Sequence, residues 1–456
     1  MTSKDSLTGI DNAIRLSRDE HCISRKNISK SALKVLYKLG EEGFHAFLVG
    51  GGVRDLLLGK HPKDFDIATD AEPEEIRKIF RNARIIGRRF KIVHIRFGRE
   101  IIEATTFRAH HEARNQIADD VPRKRIKELD SAHSSSGMIL RDNVYGNIDE
   151  DALRRDFTVN SLYYTVDNFE VLDFSSGLAD MESKQIRMIG DPEERYKEDP
   201  VRMLRALRFS AKLKFEIEEK TCEPINRLAP LLESISPARL FDESLKLLTG
   251  GDAVATFALL SQYEPGKYLF APTLRAIEDS TAPASRLLQL ALENTDSRLA
   301  SGKSVTPAFL YAALLWPVVQ QKLQDPANEG VSPGQVYFEA VSSSIKEQLV
   351  YTSIPKRFTA ASREIWDLQK RLEKRNRRNL ASSFSHPRFR AAYDFLLLRE
   401  ESGENLDNAG QWWTDFQNGD LEQRNGMTEK LSSSKKRRKR RPGRKQSKDE
   451  SNSDKH

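Results

Sequence analysis

The sequence predicts a small mixed α/β head followed by a mostly α-helical neck and body, with a basic tail that composition marks as disordered. Three observations carry this. Short strand-like and helix-like runs alternate between about residues 30 and 107, a 3.6-residue periodicity takes over from about Ala152, and Lys435 to Lys448 contains ten Lys or Arg and no acid. The formal charge of +7, less those ten, leaves −3 for everything else, so the basicity belongs to the tail. Runs of like charge stay solvated and serve as polyanion-binding arms.

Lys30 to Leu39 (KSALKVLYKL) has helical spacing, ended by Glu41-Glu42-Gly43. Phe44 to Val49 reads as a strand running into Gly50-Gly51-Gly52, and Val53 to Leu58 as a short helix opening from those glycines. Asp64 to Ala68 is the next expected strand, Pro73 to Phe80 a helix with proline in its first turn, and Lys91 to Phe97 and Glu100 to Phe107 two more strands. Residues 110 to 147 are polar and aperiodic around Ser134-Ser135-Ser136-Gly137, which indicates a long loop. Helices are expected at Pro200 to Phe215, Leu240 to Leu248, Ala284 to Leu292 and Arg363 to Leu372. Ala308 to Val319 (AFLYAALLWPVV) is shorter than the ~20 residues of a spanning helix and contains Pro317, so it reads as a buried core helix. No transmembrane segment is expected. Met1 to Glu20 has no apolar run, and Cys22 and Cys222 form no disulfide or zinc pattern, so a reducing cytoplasm is the expected setting.

The chemistry-bearing residues begin at Gly51-Gly52 and Asp64-Phe65-Asp66. A glycine turn opening a helix lets phosphate approach backbone N–H groups. Strand alternation puts Asp64 and Asp66 on one side and Phe65 in the core, so both carboxylates can share a metal site. Each motif alone is commonplace; their order, strand, Gly-Gly, helix, Asp-x-Asp strand, is what points to a nucleotide and metal site. Glu103, on a neighbouring strand, is a candidate third carboxylate, with a sheet-surface salt bridge as the plainer reading. Arg154-Arg155-Asp156 offers guanidinium forks for phosphate beside an acid, or a charge cluster at a helix terminus. Asp199 and Arg202 stand three apart at a helix start, and residue chemistry alone favours an intrahelical ion pair over contact with a base. Arg205 and Arg208 extend that spacing into a basic stripe suited to RNA or triphosphate. Gly302-Lys303-Ser304 lacks the first glycine and preceding strand of a P-loop, and the histidines form no catalytic or metal constellation.

Taken together, LVGGGVRDLLLG (Leu48 to Gly59), DFDIAT (Asp64 to Thr69), RRDFTVNSLYY (Arg154 to Tyr164) and EDPVRMLRALRF (Glu198 to Phe209) resemble the class II nucleotidyltransferases of the DNA polymerase β-like superfamily. IIGRRFKIVHIRF (Ile85 to Phe97), GNIDEDALRRDFTVNSLYY (Gly146 to Tyr164) and PKRF…HPRFRAAYDFLLLR (Pro355 to Arg399) are similar to the bacterial poly(A) polymerase branch. Asp173-Phe174-Ser175-Ser176-Gly177 departs from it, since relatives often carry Gly-Gly there.

The resemblance implies a nucleotidyltransferase head at 28–165 after an extension at 1–27, a nucleotide- and RNA-binding neck at 166–265, a body with an RNA-binding region at 266–425 and the tail at 426–456. It implies Asp64 and Asp66 as ligands of two Mg²⁺ ions, Asp156 as the third essential acid, and Gly51, Gly52 and Arg54 around a triphosphate. Arg155 and Asn160 would lie toward phosphates and sugar, while Asp199 and Arg202 would hydrogen-bond the base of ATP, reversing the ion-pair preference. RNA contacts would come from Arg205, Arg208 and the tail residues Lys435, Lys436, Arg437, Arg438, Lys439, Arg440 and Arg441. The implied activity is template-independent addition of AMP from ATP to RNA 3′ ends, mRNA polyadenylation that marks RNAs for decay. A CCA-adding or A-adding tRNA nucleotidyltransferase shares all four motifs, and a catalytically inactive RNA-binding protein is the alternative of another class. Recruitment by RNA-decay or RNA-chaperone proteins has no residue signature in the chain.

Overall fold

The computed structural model describes residues 7, 9–87, 90–109, 131–133, 139–142, 144–278 and 282–437. The chain divides into two compact units, Met1–Ala271 and Pro272–His456.

The first unit is built on an eight-stranded sheet in the order β1-β10-β9-β2-β3-β6-β5-β4. The strands are β1 (Ile14–Leu16), β2 (Ala46–Val49), β3 (Asp66–Thr69), β4 (Ala83–Ile86), β5 (Ile92–Phe97), β6 (Glu100–Thr106), β9 (Leu162–Tyr164) and β10 (Val171–Asp173). Sequence reading finds four of them. The three-residue strands β1, β9 and β10 are too short to show alternation, and β9 and β10 are buried on both faces. Residue parity explains the layering. Leu48, Ile67, Leu162 and Tyr164 join Val35, Leu36 and Leu39 of helix α1 (Lys30–Glu41) in one core, while Phe47, Val49, Ala68, Tyr163 and Leu172 pack with Ile148 and Ala152 of α4 (Ile148–Leu153) in another.

The short helices α2 (Gly51–Leu57) and α3 (Pro73–Ile79) lie where expected, although α2 starts at the glycines and β3 starts at Asp66 instead of Asp64. Inside the stretch read as loop, β7 (Ser131–His133) pairs antiparallel with β8 (Ile139–Asp142). The helices that follow are α5 (Gly177–Glu182), α6 (Pro192–Glu198), α7 (Val201–Leu213), α8 (Glu219–Leu228), α9 (Pro237–Leu248), α10 (Ala253–Gln262) and α11 (Lys267–Ala276). A two-stranded parallel ribbon of β11 (Gln185–Ile186) and β12 (Glu216–Ile217) braces them.

The second unit is helical: α12 (Pro283–Ala300), α13 (Pro307–Leu323), α14 (Pro333–Tyr351), α15 (Lys356–Lys374), α16 (Arg377–Phe384), α17 (Phe389–Glu401), α18 (Ala409–Asn418) and α19 (Leu421–Arg437). Every residue from Leu310 to Val319 on α13 is buried, as its composition implies, with Pro317 inside the helix. Trp366 anchors α15 to it by donating to the Ala312 carbonyl at 3.1 Å. Gly302 to Ser304 fall between α12 and α13, outside any helix or strand. Helix α19 continues to Arg437, so the segment read from composition as disordered from 426 onward opens as helix. Among the described residues no helix is long and apolar enough to cross a membrane.

Candidate active site

The glycine turn sits between β2 and α2. Gly50 has φ 71° and ψ −137°, a region open essentially to glycine alone, and its N–H donates to the Leu162 carbonyl at 3.1 Å. Gly51 and Gly52 are helical, with room at their Cα atoms: a Cβ on Gly52 would stand 3.5 Å from the Asp64 carbonyl. Sequence reading singled out Gly51 and Gly52; the conformation depends on Gly50.

Beside this turn Asp64 is exposed, Phe65 buried, Asp66 exposed and Ile67 buried, so the expected alternation holds although regular strand begins one step later. β3 pairs parallel with β6, placing Glu103 opposite Asp66, and Glu103 Oε1 lies 3.1 Å from Nε2 of His94 on β5. Although Asp66 is exposed as a residue, neighbouring atoms crowd its carboxyl and strip part of its hydration, which pushes it up to about 6; Glu103 and Asp64 raise it further and Arg155 opposes them. Among the described residues no three or more His, Cys, Asp or Glu side chains close around a single point. The result is an open carboxylate edge of hard oxygen donors. Mg²⁺ suits such an edge, because it is held by one or two carboxylates and keeps the rest of its octahedron for phosphate and water.

Asp156 is differently placed. Its Oδ2 accepts from Arg205 Nε at 2.6 Å and from Arg205 Nη2, and its Oδ1 accepts from Phe157 N–H at 2.8 Å and Asn160 Nδ2 at 3.2 Å. Burial alone would raise this carboxyl; the Arg205 charge and these donors outweigh it and hold it at about 2. The charges acting on Asp66 come from Glu103, Arg155 and Asp64, so Glu103 is the acid beside the pair. Asn160 in turn accepts from Arg54 through Oδ1, and the buried Arg54 guanidinium clasps Asp55 at 2.6 and 2.8 Å. A continuous chain Asp55–Arg54–Asn160–Asp156–Arg205 thus ties α2 to α7. Arg155 donates to Tyr163 Oη at 2.8 Å and to Asp151 at 3.0 Å, and its Nη1 passes beside Gly50.

Asp199 and Arg202, which residue chemistry alone would pair and the resemblance turns toward a base, are each held by other partners. Asp199 ends α6 in extended conformation and lies outside α7, so the helical three-residue spacing does not apply to it. Its Oδ2 accepts from Arg239 Nη2 at 2.7 Å, while Arg202 donates to Glu198 and to the Arg195 carbonyl, both at 2.7 Å. Arg205, read as part of an RNA stripe, is engaged by Asp156. Arg208 keeps a buried Nε without a hydrogen-bond partner among the described residues, and burial followed by the Arg205 charge lowers it to about 10. Lys435, Lys436 and Arg437 fall in α19, and Arg438, Lys439, Arg440 and Arg441 lie outside the described residues.

Two residues escaped sequence reading. Arg195 donates to the carbonyls of Arg154 and Arg155 and to Glu198, fixing the backbone that carries Arg155. Arg239 looks like any arginine on an amphipathic helix, and only its spatial partner distinguishes it.

A carboxylate edge beside a glycine turn, on a mixed sheet that leads into helices, defines a nucleotidyltransferase head. Residues 46–187 match the family described as "Poly A polymerase head domain", 214–277 "Probable RNA and SrmB- binding site of polymerase A", and 329–446 "Polymerase A arginine-rich C-terminus". The chain is 47% identical over 433 residues to Poly(A) polymerase I of Escherichia coli O6:H1, covering 94% of this chain and 91% of that protein. Its likeness to the CCA-adding enzyme of Lactobacillus helveticus is 37% over 228 residues, half of each chain. The fold is shared with the Thermotoga maritima CCA-adding enzyme complexed with tRNA, at TM-score 0.52 and 18% identity, over 92% of this chain and 99% of that one. The chain belongs to the bacterial poly(A) polymerase I family.

Proposed function

We propose that this protein joins AMP from ATP to RNA 3′ ends without a template, in the cytoplasm, and that its centre is the open edge of Asp64 and Asp66. The 3′-oxygen attacks the α-phosphorus, the bond from that phosphorus to the bridging oxygen breaks, and pyrophosphate leaves. Asp64 and Asp66, with Glu103 alongside, would hold two Mg²⁺ ions, which would supply neutralisation of phosphate charge and activation of the attacking oxygen. The chain's own part is placement. Gly50 shapes the turn that brings Gly51 and Gly52 to the triphosphate, and Arg54 and Arg155 stand beside it as fixed positive charges. Asp199 and Arg202 face the base. Asp156, the third essential acid of the motif, acts as the post that orients Arg205 and Asn160. Arg208, whose guanidinium packs over the Phe209 ring, continues the stripe toward the RNA.

On this reading 28–165 is the catalytic head, 166–265 the neck and 266–425 the body. The observation that carries the reading is the placement of Asp66 opposite Glu103 across β3 and β6, with Asp64 two residues away and its carbonyl against Gly52 of the glycine turn, a concentration of negative charge that a divalent cation would relieve. The test is extension of an RNA oligonucleotide with each of the four triphosphates, with and without Mg²⁺. A long Mg²⁺-dependent A homopolymer is expected. CCA completion confined to tRNA would replace this reading with the tRNA enzyme, and no incorporation would leave an inactive RNA-binding protein.

A further inference from the structure

Helix α15 ends and α16 begins within Lys370-Arg371-Leu372-Glu373-Lys374-Arg375-Asn376-Arg377-Arg378, a stretch with six Lys or Arg and one acid. The turn is fixed: Arg375 holds φ 44° and its Nη1 donates to the Asp407 carbonyl at 3.1 Å, while Asn376 caps α16. The acids along this face each have a partner. Glu364 accepts from Arg388 Nε at 3.2 Å, Asp367 lies against the Tyr337 hydroxyl, Glu373 is held by the buried Arg399, and on α14 Glu339 accepts from Gln335 at 2.9 Å. The cations are left over: Arg371, Lys374, Arg377 and Arg378 are exposed and, among the described residues, form no ion pair. Two aromatic side chains of α14 reach the same face. Lys370 Nζ stands 3.8 Å over the Tyr337 ring, and the Arg363 guanidinium lies 5.8 Å from the centre of the Phe338 ring while donating to Ser342 Oγ at 3.3 Å. Phe338 is 62% exposed, so its ring is open beside that cation.

We propose that this strip of the second unit binds single-stranded RNA, with Phe338 as the platform for one base and Arg371, Lys374, Arg377 and Arg378 along the phosphates. The inference rests on the proposed RNA-extending activity for its occupant, and it uses residues other than the stripe on α7 and the tail. Charge chooses the occupant. Cations with no carboxylate of their own, set on successive turns so that they repel one another, are relieved by a partner carrying negative charge at every step. Arg363, Lys370 and Lys374 share one face of α15 and span about 16 Å, room for several phosphates. A flat ring open beside a cation suits the π-face of a base, and because every base has one, such a hold tolerates any sequence. That is what extension without a template requires of a site that grips the strand. A duplex presents the same phosphates with its base faces covered, so the cations would serve either form and Phe338 only the single strand.

The experiment measures the affinity of a labelled oligoadenylate and of a labelled RNA hairpin across a salt series. The proteins are full-length wild type, Phe338→Ala, Phe338→Trp, and the triple variant Arg371→Ala, Lys374→Ala, Arg377→Ala. Phe338→Ala is expected to weaken oligoadenylate binding about tenfold, with the salt slope and the hairpin affinity as in wild type, and Phe338→Trp to keep wild-type binding. The triple variant is expected to weaken both RNAs and to flatten the oligoadenylate salt slope by about two, since each single-strand phosphate contact contributes about 0.7. In extension assays both alanine variants should raise KM for RNA more than KM for ATP. Wild-type affinity and slope in Phe338→Ala and in the triple variant would overturn the inference and give the strip to a protein partner. A Phe338→Ala loss as large on the hairpin as on oligoadenylate would overturn the stacking role. A wild type that binds oligoadenylate through this strip without extending it would end the proposed reaction and leave this inference standing; a wild type that extends RNA while both alanine variants bind as it does would end this inference alone.

Discussion

Asp66 and Asp156 lie on motifs of the same site, yet the first is pushed up to about 6 and the second held at about 2. The difference lies in their neighbours. Asp66 faces Glu103 and Asp64, with Arg155 as the opposing charge, while Asp156 is clasped by Arg205, Asn160 and a backbone N–H. Asp156 is held by cationic and N–H donors, whereas Asp66 lies among other carboxylates, and on the proposed reading it is the second arrangement that would take a cation.

The strongest way to break this comparison is to remove the open acids. Asp64→Ala or Asp66→Ala is expected to lower Mg²⁺-dependent AMP incorporation by about 10³-fold or more while the circular dichroism stays that of wild type. Near-normal incorporation by either variant would end it. Asp156→Asn should act in the opposite sense, on stability: it strands the partly buried Arg205 and is expected to cost about 3–5 kcal/mol in urea unfolding, against little or no loss for Asp64→Asn. Equal losses from the two would erase the distinction between paired and open acids.

A smaller effect sharpens the comparison through pH. The folded value of Asp156 lies below the ordinary one, so its contribution is complete above about pH 4 and is lost as pH falls toward 2, amounting to about 2–3 kcal/mol. The folded value of Asp66 lies above the ordinary one, so wild type should lose stability relative to Asp66→Asn as pH rises from about 4 to about 6, without Mg²⁺. Unfolding curves of the two proteins across that range check the sign, and a difference that grows the other way would contradict it.

Much of the open edge was legible in the sequence because it is local. Asp64, Phe65 and Asp66 are consecutive, and their alternation of exposed, buried and exposed needs only extended backbone. The glycines were legible as a turn, although which of them needs a positive φ emerged only when Gly50 was seen bonded to Leu162. The paired acids were not legible, because their partners come from far along the chain: Arg205 for Asp156, and Arg239 for Asp199. Spacing misled at Asp199 and Arg202, since Asp199 sits in the extended link before α7 and three-residue spacing carries no geometry there. The head's extra strands were hidden for a similar reason: Leu162–Tyr164 is too short to show a period and is wrapped on both faces. Ser176 was legible as a departure from the glycine of relatives, and the structure gives its meaning: it holds φ 65° at the start of α5, where glycine would be unstrained.

The central claim concerns the charge state of two carboxylates, and carboxyl ¹³C NMR of the selectively labelled full-length protein reads it directly. Titrated without Mg²⁺, Asp66 should give a midpoint near 6 and Asp156 one near 2, and added Mg²⁺ should move the Asp66 midpoint down while leaving that of Asp156 in place. An Asp66 midpoint in the ordinary carboxylate range near ~4, unmoved by Mg²⁺, would contradict the account.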